Sequence, residues 1–413
     1  MNALRLPLAN LLHHKVRGAL SALGVGVGVA MLITLSGLAR GSLYEVADRW
    51  EAVDAELIAY PNFWQDNVPT MSGIGLPDKE AGRIRAAGDG RLVADVAPVF
   101  KARVNIAGQD HDASGVDSDP DQRRILTAGR DLLAGRWCDR DGSAARWLEN
   151  VVLGRGGDSA GTRPAEITHE YLLEGLRRRG GMEIVIDSRL AEASGLGVGD
   201  DVEIAAHTWQ VVGIAPSGVL TRVFMPRRTG QYLFGSGNIR QSTLMFIKLR
   251  PGVDPLEAAV ALRTPFREVV RTAEVRGMLV RKFGVMFRYV DTVNAVALII
   301  AFLFIMVTLY VMVLQRTREI AILRSFGASR RFIMFQVLAE SLMLAACGVV
   351  AGVGLSLLGA WGIETARPLL TVTITPRWIG IGAAAALLGA TASALVPAWR
   401  ATRVDVARAL TTE

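Results

Sequence analysis

The segment LQRTREIAILRSFGASRR, residues 314–331, lies between two long apolar stretches and decides how the chain is organised. Its pattern predicts a short helix with Ile320, Leu323 and Phe326 on one side and charged residues elsewhere. Gly327 then supplies a stop, because glycine readily takes the left-handed conformation that ends helices. A helix too short to span a bilayer, held between two spans, can press into a groove of a soluble partner. The alternative interpretation is a solvated basic loop.

Outward from this segment, four apolar stretches are long enough to cross a bilayer, which needs about 20 helical residues. They are residues 18–38, 290–314, 332–361 and 379–396. The long stretch 39–289 carries alternating strand patterns mixed with helical pieces. The sequence therefore predicts a membrane protein with four transmembrane α-helices. A large α+β extracytoplasmic domain with a helical stalk is predicted between spans one and two.

Lysine and arginine near the spans predict the orientation, because cytoplasmic loops carry an excess of these residues. We expect a cytoplasmic amphipathic helix at 1–17, a cytoplasmic segment at 315–331 and a cytoplasmic tail at 397–413. The short loop 362–378 contains two arginines and is expected outside. The basic residues at 271–288 disagree with this orientation, but they close a long translocated domain, where the bias is weak. Both termini are therefore predicted to be cytoplasmic.

The composition and the absence of common motifs exclude several classes of protein. The 413 residues are 51% hydrophobic and 21% charged, with a net charge of +7. No basic run is interleaved with aromatic residues, so we expect no nucleic-acid partner. Cys138 and Cys347 leave no disulfide framework, and the histidines form no metal-binding motif. The sequence has neither a GxxxxGK[ST] phosphate loop nor a GxSxG nucleophile elbow, so we predict no catalytic residue, no metal ligand and no cofactor in this chain.

The segment 314–331 closely resembles the R-x-x-E-I-x-I-L-R-x-x-G-A-S signature of MacB/FtsX/LolC-type ABC transporter permeases. In the third span, Glu340 followed by Gly348, Gly352 and Gly354 is similar to a second pattern of that family. The end of the chain, residues 396–410, is similar to the closing motif of the family, except that the family usually has proline where this chain has Val406. Further similarities, in the order found in the family, lie at residues 10–17, 115–119, 132–136, 186–191, 196–200 and 211–214.

The resemblance implies that the segment 315–331 is a coupling helix that seats in a separate ATPase. On this hypothesis Leu323 is buried at the ATPase contact, with Arg318 and Glu319 at its edge. It also implies two ATPase copies that bind ATP and Mg²⁺, a second permease copy or homologue, and the bacterial inner membrane. A periplasmic adaptor is a further candidate partner. The coupling residues carried over are Arg318, Glu319, Ile320, Leu323, Arg324, Gly327, Ala328 and Ser329.

Several small residues and one carboxylate are predicted to serve helix packing. Gly24 and Gly28 have the small-x-x-x-small spacing that lets helices approach closely, within the chain or at a dimer seam. Glu340 stands in an apolar run, where a carboxylate is expensive. We favour a structural partner for it over a proton or substrate role. Gly348 and Gly352 complete the predicted packing set, and the sequence assigns no substrate-binding residue.

Two hypotheses about function remain open at this stage. In the first, the chain is an export permease for an amphiphile such as a lipoprotein, glycolipid, lipid or lipophilic peptide. In the second, it is a mechanotransducer that activates an envelope hydrolase or another periplasmic partner and exports nothing. A membrane-anchored enzyme is a third class, but the sequence offers no catalytic constellation for it.

Overall fold

The computed structural model of the chain describes residues 15–64, 72–154, 167–315, 317–367 and 369–402. The described parts of Met1–Ser42 and Gly284–Glu413 form one compact unit, and those of Leu43–Phe283 form the other. Most of the predicted amphipathic helix 1–17 and of the tail 397–413 lies outside the described residues.

Helices and strands are mixed along the middle of the chain, whereas the described residues before and after that part are mainly helical. The helices are α1 (Lys15–Glu51), α2 (Lys79–Ala86), α3 (Pro120–Leu126), α4 (Ser143–Val152), α5 (His169–Arg178), α6 (Ser188–Ser194), α7 (Arg227–Phe234), α8 (Pro255–Leu262), α9 (Val275–Lys282), α10 (Gly284–Gln315), α11 (Thr317–Ser325), α12 (Arg330–Ala366) and α13 (Pro376–Thr402). The strands are β1 (Leu57–Pro61), β2 (Leu76–Pro77), β3 (Val93–Ile106), β4 (Gln109–Val116), β5 (Ala134–Gly135), β6 (Glu183–Asp187), β7 (Asp201–Ile204), β8 (His207–Ala215), β9 (Val223–Pro226), β10 (Gln241–Ser242), β11 (Leu244–Leu249) and β12 (Arg267–Arg271).

Four helices of the described chain, α1, α10, α12 and α13, are long and apolar enough to cross a membrane. The predicted fold class, four membrane helices with a large α+β domain after the first, is confirmed. The helices run beyond the predicted apolar stretches, and α1 continues as far as Glu51. A helix of 37 residues is about 55 Å long, whereas the hydrocarbon of a bilayer is about 30 Å thick. Apolar sequence marks only the part that crosses, while backbone hydrogen bonding continues past it.

Small residues bring the membrane helices close together. Ala386, Ala390 and Ala394 of α13 are fully buried in the bundle core. Ser341 of α12 donates its hydroxyl to the Ala390 carbonyl at 2.8 Å. With little hydrophobic drive between helices in lipid, such close packing and buried hydrogen bonds are the main sources of association.

The α+β domain is built on a mixed sheet, whose strand order is β12-β1-β11-β3-β4-β9-β6-β8-β5, with β7 paired to β8. The pairs β4–β9 and β6–β8 are parallel, and the other pairs of this sheet are antiparallel. Side chains alternate between two cores: Leu244 and Phe246 of β11 enter one cluster, and Met245 and Ile247 enter the other. This period of two is expected for a strand buried on both faces.

The two ends of the domain are held beside each other. β1 and β12 pair antiparallel, with Leu57 opposite Arg271 and Pro61 opposite Arg267. Beyond them, Nη2 of Arg276 in α9 lies 3.1 Å from Oε2 of Glu51 at the end of α1. The first and last strands of the domain are therefore neighbours.

Candidate functional site

The short helix α11 follows directly on the second membrane helix. The Thr317 hydroxyl donates to the Leu314 carbonyl at 2.6 Å, which satisfies one of the acceptors left open where α10 ends. α11 then runs for nine residues, Thr317–Ser325. A helix of this length is marginal in water by itself, so packing must hold it in place.

The end of α11 is a glycine stop of the Schellman type. Gly327 has a φ of 90°. Its N–H donates to the Arg324 carbonyl at 3.0 Å, and the Ala328 N–H donates to the Leu323 carbonyl at 3.1 Å. The Ser329 hydroxyl accepts from the Phe332 N–H at 3.2 Å and caps α12. The predicted residues Gly327, Ala328 and Ser329 thus form a tight turn between α11 and α12.

One face of α11 packs inward on the membrane helices of its own unit. Ala321 is fully buried, and the half-buried Ile320 and Leu323 pack on a small cluster. Nη1 of Arg324 donates to the Thr402 carbonyl at 3.2 Å. The members of the cluster are Val313, Ile333, Val337, Ala398 and Ala401.

The outer face of α11 and its end carry two exposed apolar side chains. Phe326 is 86% exposed and Ile322 is 41% exposed. The expectation that Phe326 shares a side with Ile320 and Leu323 is therefore wrong. At about 100° per residue, Phe326 lies about 120° from Ile320, 60° from Leu323 and 40° from Ile322, and its exposure assigns it to the outer side with Ile322. Sequence reasoning missed this pair, although its i, i+4 spacing was the available signal.

Charged residues lie beside this outer face. Arg318 and Glu319 are exposed. Glu319, Ile320 and Leu323 also line a cavity of about 60 Å³ between α11 and helices α10 and α12. Glu340 is 6% exposed and lines the same cavity. The structure thus brings Glu340 beside α11, and a role of these residues in ATPase contact stays a prediction.

The predicted packing glycines lie inside the four-helix unit. A Cβ on Gly24 would stand 2.9 Å from the Phe304 ring, and one on Gly28 would stand 3.0 Å from the Ala301 Cβ. A Cβ on Gly348 would meet Val25 at 2.6 Å, and one on Gly352 would meet the Gly26 carbonyl oxygen at 2.7 Å. At these glycines the chain's own helices approach too closely for a larger side chain to fit without a shift.

No group of three or more His, Cys, Asp or Glu side chains in the described residues is placed to hold a metal ion. The free thiol of Cys138 is buried in the domain, and burial raises its pKa to about 12. A thiol of that pKa is almost wholly protonated at neutral pH and is a poor nucleophile.

A four-helix membrane unit, a large domain after its first helix and a short helix between its second and third spans define a permease of the four-span type. Residues 19–264 match the MacB-like periplasmic core domain, and residues 292–406 match the FtsX-like permease C-terminal domain. The chain belongs to the family of ABC transporter permeases that combine these two domains.

Two curated relatives show how far the similarity extends. The chain is 21% identical to the macrolide export ATP-binding/permease protein MacB of Vibrio parahaemolyticus, over 99% of this chain and 60% of that protein. It is 23% identical to the pyoverdine export ATP-binding/permease protein PvdT of Pseudomonas entomophila, over 97% of this chain and 58% of that protein. The chain therefore spans about 60% of the length of these relatives.

Among solved structures, the chain is similar to the periplasmic region of MacB from Actinobacillus actinomycetemcomitans. The similarity covers 57% of this chain and 97% of that structure. The identity is 11% and the TM-score is 0.36.

Proposed function

We propose that this chain is the permease part of an export system driven by a Walker-type ATPase that lies outside this sequence. ATP and Mg²⁺ bind to the ATPase, which acts as a pair, and the permease works with a second copy or a homologue. Nucleotide-driven closure of the ATPases moves α11, and the membrane helices pass that movement to the α+β domain. The system lies in a bacterial cytoplasmic membrane, with both termini of the chain inside.

The observation that carries the proposal is the exposed outer face of α11. An 86% exposed phenylalanine at the end of a nine-residue helix costs hydrophobic free energy unless a partner covers it. Exposed apolar side chains flanked by charges are typical of anchors that enter a groove on another protein. In this chain the anchors are Phe326 and Ile322, with Arg318 and Glu319 as the charged rim.

The cargo we propose is an amphiphile, such as a lipoprotein, glycolipid, lipid or lipophilic peptide. Two relatives are named as exporters of a macrolide and of pyoverdine, which supports export of a bulky molecule with apolar and polar parts. In this proposal the α+β domain handles the cargo beyond the bilayer.

The test compares the two faces of α11. Phe326→Asp should leave membrane yield and thermal stability unchanged, because the side chain is exposed. It should weaken binding of the cognate ATPase at least tenfold, because a buried aromatic anchor is worth about 2–4 kcal/mol. Leu323→Asp should instead lower membrane yield, because it puts a charge among the apolar side chains beneath α11.

The matched control is Phe266→Asp, since Phe266 is 81% exposed and lies in the other unit. ATPase binding is measured on purified chain by titration and by stimulated ATP hydrolysis. Unchanged ATPase binding in Phe326→Asp would show that the exposed side of α11 does not contact the ATPase. Export is measured separately, as ATP-dependent release of a labelled lipopeptide from proteoliposomes. Coupled ATPase activity without any release would favour the mechanotransducer.

A further inference from the structure

Five arginines surround a cavity of about 760 Å³ in the α+β domain. All five come from one stretch that contains α3, the turn after it, β5 and the loop beyond β5. The cavity has the size of a small-molecule site, for which about 300–1,000 Å³ is usual. We name it the arginine basin, and its arginines are Arg123, Arg124, Arg130, Arg136 and Arg140.

Most of the positive charge in the arginine basin is available to a ligand. Arg136 is held by Glu183 through two hydrogen bonds of 2.7 and 2.6 Å. Arg124, Arg130 and Arg140 are exposed, and none of them forms an ion pair with a residue that the structure describes. Asp131 is the acidic residue of the basin lining. The lining itself therefore carries five arginines and one carboxylate, and Glu183, Asp119 and Asp139, which are not part of the lining, lie near Arg136 and Arg123.

Arg123 gives the basin a fixed cationic wall. Its side chain is 8% exposed, and it donates to the Ser118 carbonyl. Its Nε is buried and has no hydrogen-bond partner within the described part of the chain. Burial lowers the pKa of the Arg123 guanidinium, and the nearby carboxylates of Asp119 and Asp139 do not offset this effect. A buried cation in this position is stabilised by an anion, because burying an incompletely compensated charge costs free energy.

Trp137 forms an aromatic side of the same cavity. The Arg123 guanidinium lies 5.9 Å from its ring centroid, and the ring packs edge-on against Phe224 at 5.6 Å. Trp137 and Arg130 also line an adjoining apolar cleft of about 10 Å³. That volume holds about one water-sized sphere. The cleft is too small for an acyl chain, so binding must come from the charged group.

We propose that the arginine basin binds a phosphate ester through its phosphate group. Guanidinium groups match phosphate oxygens with paired, charge-assisted hydrogen bonds. A tetrahedral phosphate presents oxygens in several directions, so it can meet arginines that arrive from a helix, a turn and a loop. The proposal that the basin binds a phosphate ester does not depend on the proposed export function. As a filter that selects anionic amphiphiles as cargo, the basin rests on that proposed function.

The experiment measures binding to the purified full chain in neutral detergent, without ATPase or nucleotide, by calorimetric titration. The probes are inorganic phosphate, dihexanoyl phosphatidic acid, zwitterionic dihexanoyl phosphatidylcholine and hexanoate. The test variant replaces the three arginines that form no ion pair together, as Arg124→Gln/Arg130→Gln/Arg140→Gln. The matched control, Arg91→Gln/Arg103→Gln/Arg240→Gln, removes three other exposed arginines of the same domain.

We expect phosphatidic acid to bind, and the test variant to lose at least tenfold in affinity, because several charge-assisted hydrogen bonds are removed. The control variant should stay within about twofold of the parent, and affinity should fall as salt rises. Inorganic phosphate binding as tightly as phosphatidic acid would support the basin and identify a free anion as the ligand. Equal losses in both variants, equal binding of hexanoate, or no binding of either phosphate probe would overturn the proposal. Because no ATPase is present, these results are separate from failure of coupling at α11.

Discussion

Arg227 and Asp117 form a two-pronged ion pair inside the α+β domain. Nε of Arg227 donates to Oδ1 at 2.9 Å, and Nη2 donates to Oδ2 at 2.7 Å. Nη1 of the same arginine donates to Asp78 at 2.7 Å, although the Arg227 side chain is only 5% exposed. One guanidinium therefore ties the start of α7 to the end of β4 and to the start of α2.

Replacing this arginine should lower the thermal stability of the domain. Arg227→Met leaves the partly buried Asp117 without its cation and removes one of the two arginines that pair with Asp78, which costs about 3–5 kcal/mol. For a domain of this size that is a fall in melting temperature of at least about 6 °C. Thermal unfolding of the purified chain measures it, with Arg240→Met as the exposed control. A shift no larger than that of the control would show that the ion pair contributes little.

The same cluster should make the domain sensitive to acid. Burial alone would raise the pKa of Asp78, but the charges of Arg227 and Arg228 hold the pKa below its usual value of 3.8. Because this pKa is lower in the folded state, its stabilising effect is present above 3.8 and is lost as pH falls through the folded value.

Asp78→Asn should therefore be less stable than the parent at pH 6, and should lose less stability between about pH 5 and pH 3. Denaturant titrations at each pH measure the difference. If the variant loses stability as steeply as the parent, other carboxylates determine the acid response.

Two glycines of α12 should respond in opposite ways to alanine. A Cβ on Gly352 would stand 2.7 Å from the Gly26 carbonyl oxygen, whereas a Cβ on Gly354 would meet nothing within 4 Å. Gly352→Ala must push α1 and α12 apart and should cost about 1–3 kcal/mol. Gly354→Ala should be neutral or slightly stabilising, because alanine is the better helix former. Thermal stability in detergent distinguishes them, and equal shifts would show that the contact between α1 and α12 is loose.

The proposed orientation can be tested with two exposed single cysteines in a Cys347→Ser background. Cys138 should stay silent there because its thiol is buried and protonated at neutral pH. Glu257→Cys in the α+β domain should react with an impermeant maleimide on intact cells, after the outer membrane is permeabilised where one is present. Arg331→Cys at the start of α12 should react only after lysis. The opposite labelling pattern would show that the chain has the opposite orientation in the membrane.

The sequence predicted the features that depend on composition or on one special residue. The four spans follow from apolar length, and the stop at Gly327 follows from the φ of 90° that glycine takes there. The strand patterns expected within residues 39–289 are borne out at residues 202–204 and 211–214, which lie in β7 and β8. These signals are local, so they survive without knowledge of the fold.

What the sequence could not show depends on residues brought together by the fold or on unusual turns. β7 and β8 are joined by Ala205 and Ala206, both with positive φ, where an Asn-Gly pair would have signalled a hairpin. The inward packing of Leu323 requires the position of Ala398, far along the chain. The sequence does contain an indication of the arginine basin, since five arginines lie between residues 123 and 140. Only the fold, through the turn after α3, shows that they line one cavity.

The neighbouring positions of β1 and β12 determine how the domain responds to mechanical load. Leu57 begins β1 opposite Arg271, which ends β12, so a force that separates the two chain ends acts first on the Arg276–Glu51 ion pair and then on this outermost rung of the ladder. Backbone hydrogen bonds between two strands that are loaded one at a time break at a lower force than bonds that are loaded together in shear. A force that moves both ends in the same direction loads none of them. The pairing of β1 with β12 is therefore weak towards being spread and is not loaded by a shared push or pull.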